Sequence, residues 1–344
     1  MTEEKVRFKY DRNWPAINAA LVDLHRIGPV LLADLVRGIP TNEGQARKRG
    51  GQPFPVRDLL YAALIRTFEN KTARSTTASV ERFQALNLCE EVPHYNTLLR
   101  KIAKPEIMPI LHRLLAVCAA PLAVIETEKL AQYAIDSTGF STSIYASWNE
   151  NKHGGKPKPN SHTARSRYVK AHAFVGTVSH GIMAIQPTEP NVGDAPLLSP
   201  LLARAIANGH HPRDVSADSA YLSSEAVAAI EAANATSFID FRDGVTGVTR
   251  PVIARLYHRF KADEDEYKRR YHRRSNVETV MYMVKERFGV RLRSRTPNAQ
   301  YAEIVLKAIC HDIACLVHAI HALEIDPKFW TPEPTTVPLI GAAQ

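Results

Sequence analysis

One stretch of the sequence, residues 271–285, combines an acid, two bases and a phenol at regular spacing. Tyr271, Arg274, Glu278 and Lys285 stand at offsets of 0, 3, 7 and 14 residues. An α-helix turns about 100° per residue, so these side chains would share a stripe roughly 60° wide. The residues that would face the other way are apolar: Val277, Val280, Met281 and Val284. The spacing predicts a helix that presents its polar stripe at a cleft, although a solvated helix face with ion pairs has the same pattern.

Two aspartates upstream end short apolar segments that are predicted to be β-strands. Asp136 ends the first of these segments, and Asp218 ends a later one. An aspartate in either position, taken alone, is typical of a turn or a helix cap. Neighbouring strands would bring both to one edge of a sheet, near Glu278. Three converging carboxylates repel one another unless a cation neutralises them, and oxygen ligands suit Mg²⁺ or Mn²⁺.

The predicted carboxylate cluster points to phosphodiester chemistry. Two hard cations about 3.5–4 Å apart can activate an attacking oxygen and stabilise a leaving oxygen at phosphorus. Arg274 and Lys285 lie on the same predicted stripe as Glu278 and could hold adjacent phosphates.

The elements that must position these residues form two regions. Residues 1–125 are predicted to be helical and to bind DNA, with a possible helix-turn-helix at 74–104. Residues 126–325 alternate between strands and helices, which predicts an α/β sheet of mixed direction flanked by helices. The sheet includes a hairpin that turns at Ser179-His180-Gly181, and 252–325 is predicted to be helical. A basic, glycine-rich loop at 146–167 could grip a phosphate backbone, and 326–344 is predicted to be a tail.

Composition and charge narrow the class of protein. The 344 residues carry 44 Lys and Arg against 35 Asp and Glu, a formal net charge of +9. A surplus of this kind favours nucleic acid as a partner. Residues 255–295 alone hold 13 Lys or Arg against 6 Asp or Glu. Four scattered cysteines do not make a disulfide framework, and the longest uncharged apolar run is too short to span a bilayer. We therefore expect a protein of the cytoplasm without a membrane partner.

The motifs resemble those of one enzyme family. The order Tyr, two residues, Arg, three residues, Glu, six residues, Lys is the Y-R-E-K signature helix of insertion-sequence transposases of the DDE class. The segment AIDSTGF resembles the one that carries that family's first aspartate, and VSADSAYLSSE the one that carries its second, with Asp218 followed by Tyr221. The resemblance covers about residues 130–320, and EVPHYNTLLRKI adds a weaker match upstream.

The resemblance implies a fold, an activity and roles for the site residues. The fold is RNase H-like, of the retroviral integrase superfamily. Asp136, Asp218 and Glu278 are the implied catalytic residues and bind two Mg²⁺ or Mn²⁺ ions. Water is activated to cut DNA at the ends of the element, and the freed 3′-OH attacks target DNA. Tyr271, Arg274 and Lys285 are the implied DNA contacts near the scissile phosphate.

Partners and alternatives follow from the same resemblance. The implied partners are the terminal inverted repeats of the element and target DNA, bound by a homo-oligomer in the cytoplasm of a prokaryote, at the nucleoid. One alternative is a metal-dependent DNA nuclease of the same fold that performs no strand transfer. A second alternative is a DNA-binding protein that has lost catalysis, although the presence of all three acids argues against it.

Overall fold

The computed structural model describes residues 13–40, 54–129, 131–142, 168–241 and 250–330. Helices α1 to α5 form the N-terminal region: Trp14–Arg37, Val56–Phe68, Ala73–Gln84, Tyr95–Ile102 and Ile107–Lys129. Helix α1 begins where the Asn13 side chain accepts a hydrogen bond from the backbone N–H of Ala16 at 3.2 Å. Helix α3 begins at a capping box of Thr72 and Ser75. Within the described residues, this region is helical as predicted.

Helices α3 and α4 occupy the place of the predicted helix-turn-helix. They contact each other, and both contact α2. Ten residues, 85–94, connect them, whereas the turn of a helix-turn-helix has about three or four residues. Helices α3 and α4 pack against each other as in a helix-turn-helix, but the connection between them is longer than the turn of that motif. The role of α3 and α4 in DNA binding stays a prediction.

A five-stranded sheet follows the N-terminal helices. Its strands are β1 Gln132–Ser141, β2 Tyr168–Gly176, β3 Ile182–Thr188, β4 Asp214–Ala217 and β5 Thr236–Ile239. They lie in the order β3-β2-β1-β4-β5. Strands β1, β2 and β3 pair antiparallel, while β4 pairs parallel with β1 and β5 parallel with β4. This mixed arrangement is that of an RNase H-like sheet and confirms the predicted fold class. The predicted hairpin turn lies between β2 and β3.

Six further helices complete the described fold. They are α6 Ala195–Ala207, α7 Ser224–Ala232, α8 Pro251–Ala262, α9 Glu264–Tyr271, α10 Ser275–Phe288 and α11 Pro297–Leu323. Helix α10 contacts β1 and β2, and α6 contacts β2 and β3. The long helix α11 contacts α1, α2, α5 and β3. The hydrophobic core is therefore continuous between the N-terminal helices and the sheet, and the predicted boundary at 125/126 falls inside α5.

Two predictions about these elements are wrong in detail. Strand β1 does not end at Asp136 but continues to Ser141, because β2 pairs with it as far as Ser141 opposite Tyr168. The helix predicted through residues 271–285 is interrupted. Tyr271 ends α9, a 3₁₀ turn covers His272–Arg274, and α10 begins at Ser275. The four residues of the predicted stripe therefore do not lie on one continuous helix.

Within the described ranges, two helices have the length and composition of a membrane span. They are α5, over Ile107–Glu126, and α11. In α11, 78% of the most apolar window is buried inside the protein, against 39% in α5. Length and hydropathy are weak evidence for such a span, because the core helix of a folded domain passes the same test.

The predicted basic loop at 146–167 lies outside the described residues, as do 1–12, 41–53 and 331–344 of the predicted N-terminal region and tail.

Candidate active site

Asp136 and Asp218 stand side by side on neighbouring strands. Strands β1 and β4 run parallel, and the last paired residues are Ile135 and Ala217. Asp136 and Asp218 each come one residue later, at the same level of the sheet. Adjacent strands lie about 4.8 Å apart, so the two carboxylates belong to one region. The Asp218 side chain also accepts a hydrogen bond from the N–H of Ser219 at 2.5 Å, which caps the 3₁₀ turn after β4.

Glu278 reaches the same region from helix α10. The helix forms over this stretch because one face is apolar, and all four predicted core residues on it are buried: Val277, Val280, Met281 and Val284. Glu278 lies on the opposite face in the first turn, and 60% of its side chain is exposed. An acid in the first turn of a helix is favoured by the positive end of the helix dipole.

Arg274 joins Asp136 to Glu278. Its Nη1 donates a short hydrogen bond to Oδ2 of Asp136, and its Nη2 donates to Oε1 of Glu278 at 2.8 Å. One guanidinium therefore contacts a carboxylate of the sheet and a carboxylate of the helix. Because Arg274 ends the 3₁₀ turn before α10, the interruption of the predicted helix lies at the residue that makes this bridge.

The electrostatics of Asp136 reflect this crowding of charge. Burial raises the pKa of Asp136 above its ordinary value, and the negative charges of Asp218 and Glu278 add to the rise. The N–H of Ser137, which donates to Asp136 at 2.7 Å, and the charge of Arg274 oppose it. A carboxyl group in this setting gains stability from any additional positive charge placed beside it.

Lys285 and Tyr271 lie at either side of this group. The Nζ of Lys285 donates to Oγ1 of Thr138, two residues beyond Asp136 on β1, at 2.5 Å. Burial lowers the pKa of Lys285. Burial raises the pKa of Tyr271, which lies near enough to Asp240, Arg274 and Asp218 to feel their charges. Contacts or neighbouring charges thus relate all six residues singled out in the sequence to the end of β1 and β4.

Comparison with known proteins decides the family. A family model described as Transposase DDE domain matches residues 129–313, more than half of the chain. The chain belongs to this family. The match confirms the resemblance and the predicted transposase function, that of an enzyme that cleaves and transfers DNA.

Other comparisons add little to this assignment. No curated protein matches the transposase. Solved structures that align with it include those described as "Mos1 transposase paired-end complex with left transposon end" and "Crystal structure of the Mos1 mariner paired end complex with Mn". The first has 12% identity and a TM-score of 0.22 over 79% of this chain and 96% of that chain. The second has 11% identity and a TM-score of 0.21 over 81% and 99%. Because both TM-scores are far below 0.5, the family assignment rests on the family model and not on these two structures.

The acidic side chains of the transposase site are candidate ligands for a metal ion. Among the residues that the structure describes, no group of three or more His, Cys, Asp or Glu side chains is close enough together to hold an ion. The donor set nevertheless fits a hard cation, because Asp136, Asp218 and Glu278 offer only carboxylate oxygens. Arg274 already places a positive charge between Asp136 and Glu278. A cation that takes this position would displace the guanidinium.

Sequence reasoning missed the buried polar residues beneath the transposase site. His172 on β2 is fully buried, with Nδ1 3.2 Å from the hydroxyl of Tyr221 and Nε2 3.1 Å from Oγ1 of Thr188. Asp194 lies 3.2 Å from Nδ1 of His172 and forms an ion pair with Lys170 at 2.8 Å. The alternation of side chains along β2 is the one sequence signal that could have predicted that His172 is buried. The spacing of residues in the sequence does not predict its contact with Tyr221. The network links β2 and β3 to the 3₁₀ turn that follows Asp218.

Proposed function

We propose that Asp136, Asp218 and Glu278 are the catalytic residues of this transposase and hold divalent cations. One observation supports the proposal. Asp136 and Asp218 lie at the same level of neighbouring strands, and Arg274 joins Asp136 to Glu278 on the helix. Carboxylate ligands favour Mg²⁺ or Mn²⁺ over zinc, and the number proposed is two. Such ions, when bound, supply activation of the attacking oxygen and charge stabilisation at the leaving oxygen.

The neighbouring residues would then hold the DNA. Arg274, freed from the two carboxylates, can donate both arms of its guanidinium to one phosphate. Lys285 offers a half-buried ammonium on the same side of the sheet, and Tyr271 offers a phenol beside Arg274. We propose that these three residues contact DNA near the scissile phosphate.

The finer identity of the substrate is also proposed. The family supports DNA as the partner, and the proposed DNA substrates are the terminal inverted repeats of an insertion sequence and a target duplex. A homo-oligomer that pairs two element ends is the proposed assembly, at the nucleoid of a prokaryotic cell. The protein would cut at the element ends and join the freed 3′-OH to the target.

Cleavage of a supercoiled plasmid that carries the element ends tests the catalytic residues. Asp136→Asn, Asp218→Asn and Glu278→Gln should each lower the rate with Mg²⁺ or Mn²⁺ on the order of 100-fold or more, the size typical of removing one essential electrostatic contact. Asp326→Asn is the matched control, because Asp326 is an exposed aspartate beyond the end of α11 whose ion-pair partner is Lys328 at 3.5 Å. Equal thermal midpoints of the variants would show that all of them fold. Unchanged cleavage in the three site variants would disprove the assignment.

A second assay separates the transposase from its alternatives. A pre-cut element end with a 3′-OH should be joined to a target plasmid, and the same end with a 3′-deoxy terminus should not. Cleavage without joining would identify a nuclease of the same fold. Binding without cleavage by the unmodified protein would identify a catalytically silent DNA-binding protein.

A further inference from the structure

An open cavity of about 760 Å³ lies beyond the C-terminal end of β1, next to the proposed active site but not part of it. Its lining includes three arginines, Arg291, Arg293 and Arg295, against one acid, Glu189. All three arginines are exposed. A concave surface with a clear excess of positive charge attracts a polyanion, and arginine is the side chain best suited to hold phosphate.

The three arginines belong to an extended segment between α10 and α11. Over residues 291–295, exposed arginines alternate with buried Leu292 and Ser294, which is the period of a β-strand. The segment also joins the sheet. The N–H of Ser141 donates to the carbonyl of Val290 at 3.2 Å, and the N–H of Leu292 donates to the carbonyl of Ser141 at 2.8 Å. The end of β1 therefore fixes which side chains of the segment face outward.

Two buried charges of helix α11 hold this segment from behind. Glu303 accepts hydrogen bonds from the backbone N–H groups of Arg293 and Ser294, at 2.9 and 2.8 Å. Lys307 donates to the carbonyl oxygens of Gly289 and Arg291, at 2.6 and 3.2 Å. Glu303 is 5% exposed and Lys307 1% exposed. Burying an ionic pair costs desolvation, and here hydrogen bonds to the backbone of one short segment compensate both charges and hold that backbone in place.

The arginines differ in what they contact. Arg293 donates through Nη2 to the carbonyl of Asn70 at 2.9 Å and through Nε to its Oδ1 at 3.2 Å, so it ties the segment to the end of α2. The side chains of Arg291 and Arg295 make no hydrogen bond or ion pair with any residue that the structure describes. With respect to the described residues, both guanidiniums therefore keep their donors available on a backbone that is already held in place.

We infer that Arg291 and Arg295 bind backbone phosphates of the DNA duplex, away from the scissile phosphate. The inference rests on the proposed function, since it extends the DNA path from the active site. Ser141 comes five residues after Asp136 on β1, a span of roughly 17 Å at 3.3 Å per residue. At 3.4 Å per nucleotide, the cavity lies about five nucleotides from the reacting phosphate. Lys285, which contacts Thr138, lies between the two sites.

The dependence of DNA affinity on salt tests this inference. The probe is a fluorescein-labelled duplex of random sequence, bound to the full-length protein in EDTA and followed by fluorescence anisotropy over a range of NaCl concentrations. Each phosphate contact contributes about 0.9 to the slope of log K against log salt. The double variant R291A/R295A should therefore lower the slope by about 1.8. R291K/R295K keeps both charges and should keep the slope of the unmodified protein.

The matched control removes two arginines elsewhere. Arg213 is exposed just before β4, at the opposite end of that strand from Asp218, and Arg255 pairs with Glu231 beyond the β5 edge of the sheet. R213A/R255A should leave the slope unchanged. Equal slopes for R291A/R295A and R213A/R255A would overturn the inference, and so would a loss in R291K/R295K as large as in R291A/R295A.

The binding measurement is independent of catalysis, because EDTA prevents metal-dependent cleavage. If the unmodified protein does not cut DNA in Mg²⁺ but R291A/R295A still lowers the slope, the proposed function fails and the phosphate-binding role of the cavity stands. If the protein cuts DNA but the slope does not change, the phosphate-binding role fails alone.

Discussion

Among single residues, Arg274 places a positive charge between two carboxylates of the site. It contacts Asp136 and Glu278 at once, and only 20% of its side chain is exposed. Partial burial of both partners strengthens the contact with Asp136 relative to a surface ion pair, whereas Glu278 is largely exposed. The site therefore carries its own positive charge, which contacts two of the three carboxylates and offsets one negative charge.

Replacement of Arg274 should change the titration of Asp136. In Arg274→Gln, the pKa of Asp136 should rise further above its ordinary value, because Asp218 and Glu278 would then act on it without an opposing charge. Titration of the ¹³C-labelled carboxyl group by NMR, in metal-free buffer, measures this pKa. The control Arg269→Gln removes an exposed arginine that pairs with Glu266. An Asp136 pKa that stays the same or falls in Arg274→Gln would contradict the bridging role.

Lys285 should contribute one phosphate contact. Lys285→Ala should weaken DNA binding and reduce the slope of log K against log salt by roughly 0.9. Lys268→Ala serves as the control, since Lys268 is exposed and pairs with Glu264 at 3.4 Å. The measurement is the same anisotropy titration in EDTA, and a slope equal to that of the unmodified protein would rule out a direct phosphate contact.

At the scale of elements, the link between α10 and α11 determines where the arginines lie. Helix α10 ends at Gly289, whose φ of 83° and ψ of 139° are accessible to glycine and strained for other residues. The chain then enters the extended segment, and the Gly289 carbonyl accepts a hydrogen bond from Lys307 at 2.6 Å. The backbone of this glycine thus directs residues 290–295 toward the end of β1.

A side chain at Gly289 should destabilise the protein. Gly289→Ala should lower the free energy of unfolding by about 1–3 kcal/mol, the cost of holding a residue with a Cβ in this region of φ and ψ. Urea unfolding followed by circular dichroism measures the change. Gly193→Ala is the control, because the nearest atom to a Cβ there is 3.8 Å away and no unusual φ is required. Equal losses in the two variants would show that backbone conformation at Gly289 is not the cause.

At the scale of the whole molecule, burial of neutral histidines links folding to pH. Burial lowers the pKa of four histidines to about 4: His112, His172, His210 and His311. An unfolded chain binds protons at these histidines near pH 6.5, whereas the folded protein does not until about pH 4. Their contribution to stability is therefore complete above pH 6.5 and is lost as the pH falls toward 4. Each histidine adds up to about 1.4 kcal/mol per pH unit to this loss.

Removal of one buried histidine should reduce this acid sensitivity. His210 is 1% exposed and packs edge-on against Tyr133. His210→Phe should lower the slope of unfolding free energy against pH, between pH 6.5 and 4, by up to about 1.4 kcal/mol per unit. Urea unfolding at several pH values measures the slope, and His258→Phe, which replaces an exposed histidine, is the control. The same slope in His210→Phe and the unmodified protein would contradict the assignment.

The sequence by itself determined the family and much of the fold. The spacing of Tyr271, Arg274, Glu278 and Lys285, together with the two strand-associated aspartates, identified the family, because residue type and spacing along the chain are what the sequence records. Alternation and apolar runs also predicted the hairpin, the mixed sheet and the apolar face of α10, since burial of one face imposes those periods.

Only the tertiary structure decided the features that depend on partners distant in sequence. Strand β1 extends past Asp136 because β2 and the segment at Val290 form hydrogen bonds with it. No local pattern in the sequence of β1 predicts these partners. The interruption at His272–Arg274 brings Arg274 to a carboxylate 138 residues away. Glu303 and Lys307 look like ordinary helix charges in the sequence, yet they are buried against the arginine segment. Contacts of this kind follow from how the chain packs in three dimensions, which spacing along the chain does not encode.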